Sequence, residues 1–275
     1  MVNTGACGAL NPGSIPGDRP RITICEGYIM LAMDKKISCV ICAYNEAGRI
    51  GDVLKVVDGH PLIPEVVVVD DGSKDGTADV VRSFPNVRLV VNEVNMGKSA
   101  SLVRGVTEAK GEFILMLDAD LRNLTRDNVS ELIEPVLRGE VDFSMSLRGN
   151  SLALYKAIGI DFVSGERVLP RTLITDHAEE IRRLSHFGVE SFMNKHIIAK
   201  RMRIAIVRLD NLINFRKKAK IGWWRGTLKE LGMVRDILKV ISPVEVLRQN
   251  YAMLRLSRLA GAKSPANASA ERSHV

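Results

Sequence analysis

The feature that most constrains this chain is the alternation of short apolar runs with amphipathic segments between residues 37 and 147. The apolar runs are rich in valine, isoleucine and leucine, and the segments between them repeat their apolar residues at helical spacing. This pattern predicts an α/β fold, in which a mostly parallel sheet is covered by helices on both faces. The predicted strands are Ile37–Ala43, Glu65–Val69, Val87–Val91, Phe113–Leu117 and Val141–Leu147, and the predicted helices are Ile50–Val57, Thr77–Ser83, Lys98–Ala109 and Val129–Leu137.

The two ends of the chain lack this pattern. Residues 1–32 are rich in glycine and proline, which predicts a disordered leader, and residues 261–275 are predicted to be a disordered tail. The alternative for the leader is a translation start at Met33, because Met33-Asp34-Lys35-Lys36 directly precedes the first strand. The sequence contains no run of 18 apolar residues that could span a membrane, and it contains no signal-peptide pattern. Of the four cysteines, Cys39 and Cys42 point to opposite faces of a predicted strand, so neither a disulfide framework nor a metal site formed by this pair is expected. The default is a reduced, cytoplasmic protein.

The charge of the chain is unevenly distributed. Residues 195–263 hold 17 Lys or Arg against four acids, although the whole chain carries a net charge of only +7. Such a basic quarter predicts an anionic partner. Residues 216–260 are predicted to be a basic amphipathic helical extension, which lies on an anionic membrane surface or packs on the catalytic domain or a second subunit. Nucleic acid is not an expected partner, because the chain has little aromatic surface for stacking.

Acidic and polar residues follow three of the predicted strands, as Tyr44-Asn45-Glu46, Asp70-Asp71 and Asp118-Ala119-Asp120. Ligands of such sheets bind beyond the carboxyl ends of the strands. Because alternate residues at a strand end share one side, Asp118 and Asp120 can reach one ligand, and carboxylate oxygens suit Mg²⁺ or Mn²⁺. The competing interpretation is a set of polar turns that cap strands and helices.

Two common nucleotide sites are excluded by the loops that follow the strands. The first strand is followed by Ala43-Tyr44-Asn45-Glu46-Ala47-Gly48, without the glycine-rich turn that seats a dinucleotide. The segment Met96-Gly97-Lys98-Ser99 lacks the upstream glycine of a P-loop. Neither a nicotinamide or flavin enzyme nor a P-loop kinase is therefore expected.

Four ordered segments resemble the family 2 inverting glycosyltransferases of the GT-A fold. They are Ser38–Glu46, Val68–Thr77, Asn95–Lys98 and Leu117–Asp120. The resemblance covers roughly residues 36 to 215 and is greatest to the soluble catalytic domains of the polyprenyl-phosphate sugar transferases, the dolichyl-phosphate mannose synthase group. It implies a Rossmann-like GT-A catalytic domain over residues 33–215, followed by the helical extension.

The resemblance also implies a donor site for a UDP- or GDP-linked sugar. The implied residues are Ala43, Tyr44 and Glu46 lining the nucleoside pocket, Asp71 bonding the base, Lys98 near the donor, Asp118 facing the ribose or the metal, and Asp120 binding the Mg²⁺ or Mn²⁺ that bridges both phosphates. A divalent ion offsets the charge that develops as the nucleoside diphosphate leaves. An inverting transfer is a single displacement and needs no protein nucleophile.

The acceptor side is implied by a second set of residues. Ser164, Arg167 and Arg171 fall where the family places its acceptor-facing segment, and the two arginines either clamp a phosphate or are solvated. Glu190 precedes a predicted helix over Ser191–Arg203. It is the candidate general base if the acceptor is a hydroxyl, and otherwise it positions a group or stabilises the helix N-terminus.

A further metal ligand that many relatives supply as histidine is missing from its usual segment. Asp210, Asn211, Asn214 or water could take its place. Three of the five histidines, His177, His186 and His196, have no metal-like spacing with the aspartates and are expected to be surface or packing residues.

The sequence therefore predicts a metal-dependent inverting glycosyltransferase with a phosphate-bearing acceptor, polyprenyl phosphate above all, at the inner face of a membrane. The alternatives are transfer to a soluble hydroxyl acceptor, such as a phosphorylated glycerate or a sugar, and a nucleotide-sugar-binding protein without turnover. The oligomeric state is left open.

Overall fold

The computed structural model of the protein describes residues 36–184, 188–214 and 242–262. The strands, in chain order, are β1 (Ile37–Ala43), β2 (Glu65–Asp70), β3 (Val87–Val91), β4 (Phe113–Asp118), β5 (Leu121–Arg122), β6 (Phe143–Arg148), β7 (Arg167–Pro170), β8 (Ile204–Leu209) and β9 (Ile213–Asn214). The helices are α1 (Ile50–Val57), α2 (Thr77–Arg82), α3 (Lys98–Glu108), α4 (Arg126–Leu137), α5 (Ala153–Ile158), α6 (Thr172–Thr175), α7 (Ala178–Arg182), α8 (Gly188–Ala199) and α9 (Pro243–Ala262).

Seven of these strands form one sheet, in the order β3-β2-β1-β4-β7-β6-β8. Within the described sheet only β7 runs against its neighbours, since β4 and β6 both pair with it antiparallel while β6 and β8 pair parallel. The predicted α/β class with a mostly parallel sheet is confirmed. The carboxyl ends of β1, β2 and β4 lie side by side at one edge, which is where a ligand site is expected.

Both faces of the sheet are buried, and the four valines of β2 show why. Val67 and Val69 pack into one core cluster, while Val66 and Val68 pack into a second cluster on the opposite face. Burying a side chain of this size contributes roughly 1.5–3 kcal/mol, so a continuous valine run is stable only between two layers of helices. This packing fixes the register of β2 against β1 and so places Asp71 beside the end of β1.

Two helices begin earlier than the sequence pattern predicts. Helix α4 begins at Arg126 rather than Val129, because Thr125 and Asn128 form a reciprocal capping box ahead of the apolar residues. Helix α8 spans Gly188–Ala199 instead of Ser191–Arg203, and its end is followed by Arg201 at a φ of 50°. The earlier start of α8 places Glu190 inside its first turn.

The C-terminal helix α9 packs against α8 and β8 through Met253, which is fully buried. Most of the predicted 216–260 extension, the 1–32 leader and nearly all of the tail lie outside the described residues; α9 itself extends to Ala262. None of the helices in the described ranges is long and apolar enough to cross a bilayer.

A short second sheet completes the site. β5 pairs antiparallel with β9, so that Leu121 lies opposite Asn214. This pairing brings the segment after β8 back over the end of β4 and places Asn214 next to the acidic residues there.

Candidate active site

A cavity of about 500 Å³ opens beyond the carboxyl ends of β1, β2 and β4. All the donor-site residues that the resemblance implied line it: Ala43, Tyr44, Glu46, Asp71, Lys98, Asp118 and Asp120. The cavity also includes Asn95 and Gly97 from the loop after β3, and Asn214 from β9. Residues from five separate segments of the chain are thus brought to one site by the order of the strands.

The segment after β1 is held in place by the turn that follows β2. The backbone amides of Asn45 and Glu46 donate to Ser73 Oγ at 2.9 Å and to Thr77 Oγ1 at 2.8 Å, and that of Ala47 donates to Asp75 Oδ2 at 3.1 Å. The turn therefore fixes the wall of the cavity that Tyr44 and Glu46 form, which gives the polar residues of this turn a role beyond capping α2.

Asp71 anchors the loop that leads to Lys98. Its Oδ1 accepts from the Met96 amide and from Asn92 Nδ2, and its Oδ2 accepts from the Gly97 amide, each at 2.8 Å. Burial alone would raise the pKa of Asp71, but these hydrogen bonds outweigh burial and hold the pKa below its ordinary value. Asp71 thus remains an anion at the floor of the cavity and keeps the 92–97 loop against it.

The same loop needs a glycine at position 72. Gly72 has a φ of 73°, and a Cβ built on it would lie 2.8 Å from the carbonyl carbon of Val94. Only glycine tolerates both the left-handed backbone and this approach. Gly72 and Asp71 therefore act together to hold the loop close to the end of β2.

Lys98 lies at the N-terminus of α3 between two carboxylates. Its Nζ is 2.9 Å from Asp118 Oδ1 and 3.3 Å from Glu190 Oε1. Desolvation lowers the pKa of Lys98, but the two carboxylates more than compensate, so the pKa is raised and the amine is cationic. Lys98 therefore bridges the donor residue at the end of β4 and the candidate base on α8.

Asp118 is surrounded by groups that stabilise its charge. Besides Lys98, Asn214 Nδ2 donates to its Oδ2 at 3.2 Å and Arg148 Nη1 lies 3.8 Å away. Burial raises the pKa of Asp118, yet the two cations and the hydrogen bonds outweigh burial and lower it overall. Gly165 also contacts this carboxylate, because a Cβ at that position would come within 2.7 Å of Oδ2.

Asp120 stands in the opposite electrostatic situation. Burial, and then the charges of Asp118 and Glu46, raise its pKa to about 6, and the nearby Arg49 only partly offsets them. The site thus holds more negative than positive charge around Asp120, which suits a divalent cation. Asp118 and Asp120 fit a Mg²⁺ or Mn²⁺ ion that takes its other ligands from substrate phosphate and water.

The described residues hold no group of three histidine, cysteine or carboxylate side chains that would bind a metal by themselves. Of the three substitutes considered for the missing histidine, only Asn214 lines the cavity. Asn211 is hydrogen-bonded to Asn128 and Asn123 away from it, and Asp210 is exposed. The amide of Asn214 already bridges Asp118 and Arg148.

The phosphate clamp predicted at Arg167 is wrong in this structure. Arg167 is fully buried and donates to Ser164 O at 2.6 Å, to Phe162 O at 2.6 Å and to Asn194 Oδ1 at 2.7 Å. Its guanidinium therefore cross-links the loop before β7 to α8. Ser164 is buried as well, and its hydroxyl contacts Ser146 Oγ and Glu166 Oε2 instead of the cavity.

The prediction that Arg171 shares this clamp is wrong for a topological reason. Because β7 runs antiparallel to β4, Arg171 lies beside Glu112 at the start of β4, and its amide donates to Glu112 O at 2.8 Å. Asp118 is at the other end of the same strand, roughly 20 Å away at about 3.3 Å per residue. Arg171 is thus at the edge of the sheet opposite to the cavity.

Glu190 is the acceptor-side residue that the structure does bring to the site. It is 3% exposed, its Oε1 accepts from Lys98, and its Oε2 is buried without a hydrogen-bond partner among the described residues. Buried carboxylate oxygens are almost always hydrogen-bonded, so this oxygen is an unusual feature beside Lys98.

Arg148 and Gly165 were not identified from the sequence. Arg148 ends β6, one residue beyond the predicted strand, and its Nη1 contacts Glu166 Oε1 at 2.9 Å and Asn214 Oδ1 at 2.6 Å. A lone arginine at a strand end carries no motif signal, although a charged residue directly after a buried run is a general sign of a site. His177 and His196 stack on each other with ring centroids 4.0 Å apart, in packing roles as predicted.

The comparisons with known proteins agree with this geometry. Residues 38–153 match the sequence profile of the family described as glycosyl transferase family 2. A dolichyl-phosphate beta-glucosyltransferase of Trichomonas vaginalis is 38% identical over 94 residues, which is 30% of this chain and 28% of that protein. The undecaprenyl-phosphate 4-deoxy-4-formamido-L-arabinose transferase of Aeromonas hydrophila is 32% identical over 115 residues, 38% of this chain and 35% of that protein. The chain thus spans about a third of the length of these curated relatives.

Among solved structures, glucosyl-3-phosphoglycerate synthase of Mycobacterium tuberculosis, in complex with Mn²⁺, UDP-glucose and phosphoglyceric acid, superposes with a TM-score of 0.62 at 22% identity, covering 85% of each chain. This likeness shows the fold. The fold is therefore that of the GT-A glycosyltransferases, and residues 38–153 match the family 2 glycosyltransferase profile.

Proposed function

We propose that this chain is a metal-dependent inverting glycosyltransferase that moves a sugar from a nucleoside-diphosphate sugar to a phosphate-bearing acceptor, with polyprenyl phosphate as the preferred acceptor. The observation that carries the proposal is the convergence of Asp71, Lys98, Asp118 and Asp120 on one open cavity beside Glu190. Structural turns alone would not require four ionisable side chains from three separate segments of the chain to meet there.

The donor half follows from the contacts within the cavity. The 43–46 segment and Asp71 would receive the nucleoside, since Tyr44 is half-exposed at the rim and Asp71 lies at the floor. Asp120, with Asp118, would hold a Mg²⁺ or Mn²⁺ ion, whose charge offsets that of the departing diphosphate. Lys98 would add a fixed positive charge near the same oxygens.

The transfer itself needs one bond to form as another breaks. An acceptor oxygen attacks the anomeric carbon while the bond from that carbon to the β-phosphate oxygen breaks, and the nucleoside diphosphate leaves. A phosphate acceptor is already ionised and needs no base, so Glu190 would then orient Lys98 and Asp118 rather than move a proton. The names of the dolichyl- and undecaprenyl-phosphate sugar transferases that resemble part of this chain support this acceptor class.

A second candidate is transfer to a hydroxyl acceptor, such as a phosphorylated glycerate or a sugar. The unpartnered Oε2 of Glu190 favours it, because a buried carboxylate with a free oxygen can take the proton of an attacking hydroxyl. The burial of Arg167 and the remote position of Arg171 favour the sugar among these acceptors, since neither arginine is placed to bind an acceptor phosphate.

For location, we propose the cytoplasm, with peripheral association at the inner face of the membrane. A lipid-phosphate acceptor would require the site to reach the bilayer surface.

Calorimetric titration with UDP and GDP, each in Mn²⁺ and in EDTA, tests the donor half. We expect one nucleotide to bind in Mn²⁺ and to bind at least tenfold more weakly in EDTA. Radiolabelled sugar from the matching donor is then offered to polyprenyl phosphate in detergent and to 3-phosphoglycerate, and transfer to the lipid phosphate is the expected result. Tight metal-dependent binding with no transfer to any acceptor would instead indicate a nucleotide-sugar-binding protein.

A further inference from the structure

The face of α9 that points away from the sheet is exposed and is both apolar and basic. Val244, Leu247 and Tyr251 are 75%, 71% and 72% exposed, although each carries a large apolar surface. They recur at the three- and four-residue spacing that places side chains on one side of a helix. We call this side, together with the exposed Arg248, Arg255 and Arg258, the outer face of α9.

The inner face of α9 packs against the rest of the protein. Met253 and Gln249 are buried, and Gln249 Nε2 donates to Ser191 Oγ at 3.0 Å. Asn250 Nδ2 donates to Val246 O at 2.8 Å within the helix. The rotation of α9 about its axis is therefore fixed by the contact with α8, and the outer face cannot turn inwards.

We infer that the outer face of α9 docks on an anionic lipid surface. This inference deepens the proposed function and rests on it for the choice of a lipid acceptor. Long apolar side chains interleaved with arginines suit the boundary of a bilayer, where the apolar groups enter the acyl region and the guanidinium groups bind lipid phosphates. Glu245 is the one acidic residue of α9, so its described surface is strongly cationic.

A second copy of the chain is a poorer occupant of this face, for reasons of charge. A two-fold contact between two α9 helices would place the arginines at 248, 255 and 258 of one copy opposite those of the other. Like charges brought together at an interface cost several kcal/mol unless acids intervene, and on α9 only Glu245 could do so, which already lies 3.7 Å from Arg248. An anionic lipid surface would instead attract the three arginines, so this repulsion would not arise.

The position of α9 relative to the site gives the docking a purpose. Ser191, which receives the hydrogen bond from Gln249, is the neighbour of Glu190 on α8. Only the width of α9, about 10 Å with its side chains, then separates a docked lipid surface from the helix that carries Glu190. Docking would therefore bring the acceptor side of the candidate site to within about one helix diameter of the lipid surface.

Flotation of the full chain with vesicles tests the inference. The probes are vesicles of phosphatidylcholine alone and of phosphatidylcholine mixed with phosphatidylglycerol. The first variant combines Arg248→Gln, Arg255→Gln and Arg258→Gln, and the second combines Leu247→Ser with Tyr251→Ser. The matched control, which removes three exposed arginines elsewhere, combines Arg82→Gln, Arg182→Gln and Arg183→Gln.

The wild-type chain should float with the anionic vesicles and not with phosphatidylcholine. Each arginine at an anionic surface is worth about fivefold in partitioning, so the first variant should lose about 100-fold. The second should lose about tenfold or more, and the control should bind within about threefold of wild type because its arginines do not touch lipid. All variants should keep metal-dependent nucleotide binding, which serves as the test of folding.

Three outcomes would overturn the inference: no flotation of the wild type, unchanged flotation of both α9 variants, or an equal loss in the control. The basic residues between 216 and 241 remain in every variant, so unchanged flotation would assign the lipid contact to them. None of these outcomes bears on nucleotide binding at the donor site. A failure of the proposed function would appear separately, as absent nucleotide binding in a chain that still floats.

Discussion

Gly165 lies against the carboxylate of Asp118 so closely that a Cβ on residue 165 would stand 2.7 Å from Oδ2 and 2.9 Å from Oδ1. The loop before β7 and the end of β4 thus meet backbone to carboxylate, without a side chain between them. The absence of a side chain at position 165 sets where Asp118 points, and therefore how Asp118 meets Lys98 and Asn214.

Adding a methyl group at this contact should impair catalysis more than folding. Gly165→Ala would push the Asp118 carboxylate from its place, and a misplacement of about 1 Å can cost on the order of 10²-fold in rate. We expect transfer activity to fall by that order in steady-state assays. Gly51→Ala, where the new Cβ meets only Val80 at 3.6 Å, is the control and should be fully active. Full activity of Gly165→Ala would show that the two segments move apart freely.

Removing the carboxylate of Asp120 should remove the metal dependence of donor binding. Asp120→Ala removes the carboxylate that lies beside Asp118 and Glu46 and that is proposed to bind the metal. Nucleotide affinity in Mn²⁺ should therefore drop to the value in EDTA. Calorimetry measures both values. Asp127→Ala, at an exposed position on α4, should bind nucleotide like the wild type. If Asp120→Ala kept its full Mn²⁺-dependent affinity, the metal would have to bind elsewhere.

The acceptor class can be determined from Glu190→Gln. This change keeps the shape of the side chain but removes its ability to take a proton. With a hydroxyl acceptor the rate should fall on the order of 10²-fold or more, whereas with polyprenyl phosphate it should fall by less than about tenfold. Steady-state rates on both acceptors give the comparison, and Glu131→Gln on the exposed side of α4 provides the matched control. An equal loss on both acceptors would contradict a role as base.

Arg167 and Arg171 should differ sharply in what they contribute to stability. Arg167→Met leaves Ser164 O, Phe162 O and Asn194 Oδ1 without their buried donor, which should cost about 3–5 kcal/mol in the free energy of unfolding. Arg171→Met loses one partly exposed bond to Val106 O, worth about 1 kcal/mol. Urea denaturation measures both. A stable Arg167→Met chain with weakened binding of a phosphate acceptor would restore the clamp.

The strands and the donor side of the site were predictable because both leave local signals. A buried parallel strand is a run of apolar residues, and its end is marked by the first polar group, as at Asp70 and Asp118. Since parallel strands end at one edge, acids that are far apart in the sequence could be assigned to one site. The bounds of β1, α1 and β3 agree with the sequence pattern for the same reason.

The acceptor side was predicted less well because its arrangement depends on strand direction. Nothing in Arg167–Pro170 distinguishes a strand that runs with its neighbours from one that runs against them. The reversed direction is what puts Arg171, instead of Arg167, at the end of the sheet away from the cavity. The burial of Arg167 could not be predicted either, because the sequence does not distinguish an arginine that donates to buried carbonyl groups from one that faces solvent. The capping box that starts α4 was present in the sequence but was not recognised.

The antiparallel direction of β7 also separates residues near the cavity from residues that can be altered without disturbing it. The loop before this four-residue strand lies against Asp118 at the candidate site, whereas Arg171, directly after the strand, lies at the rear edge of the sheet. A fluorophore or an affinity tag attached at residue 171 would therefore be about the full length of a strand away from the cavity. That rear edge is the place for attaching the protein to a surface while its cavity stays open.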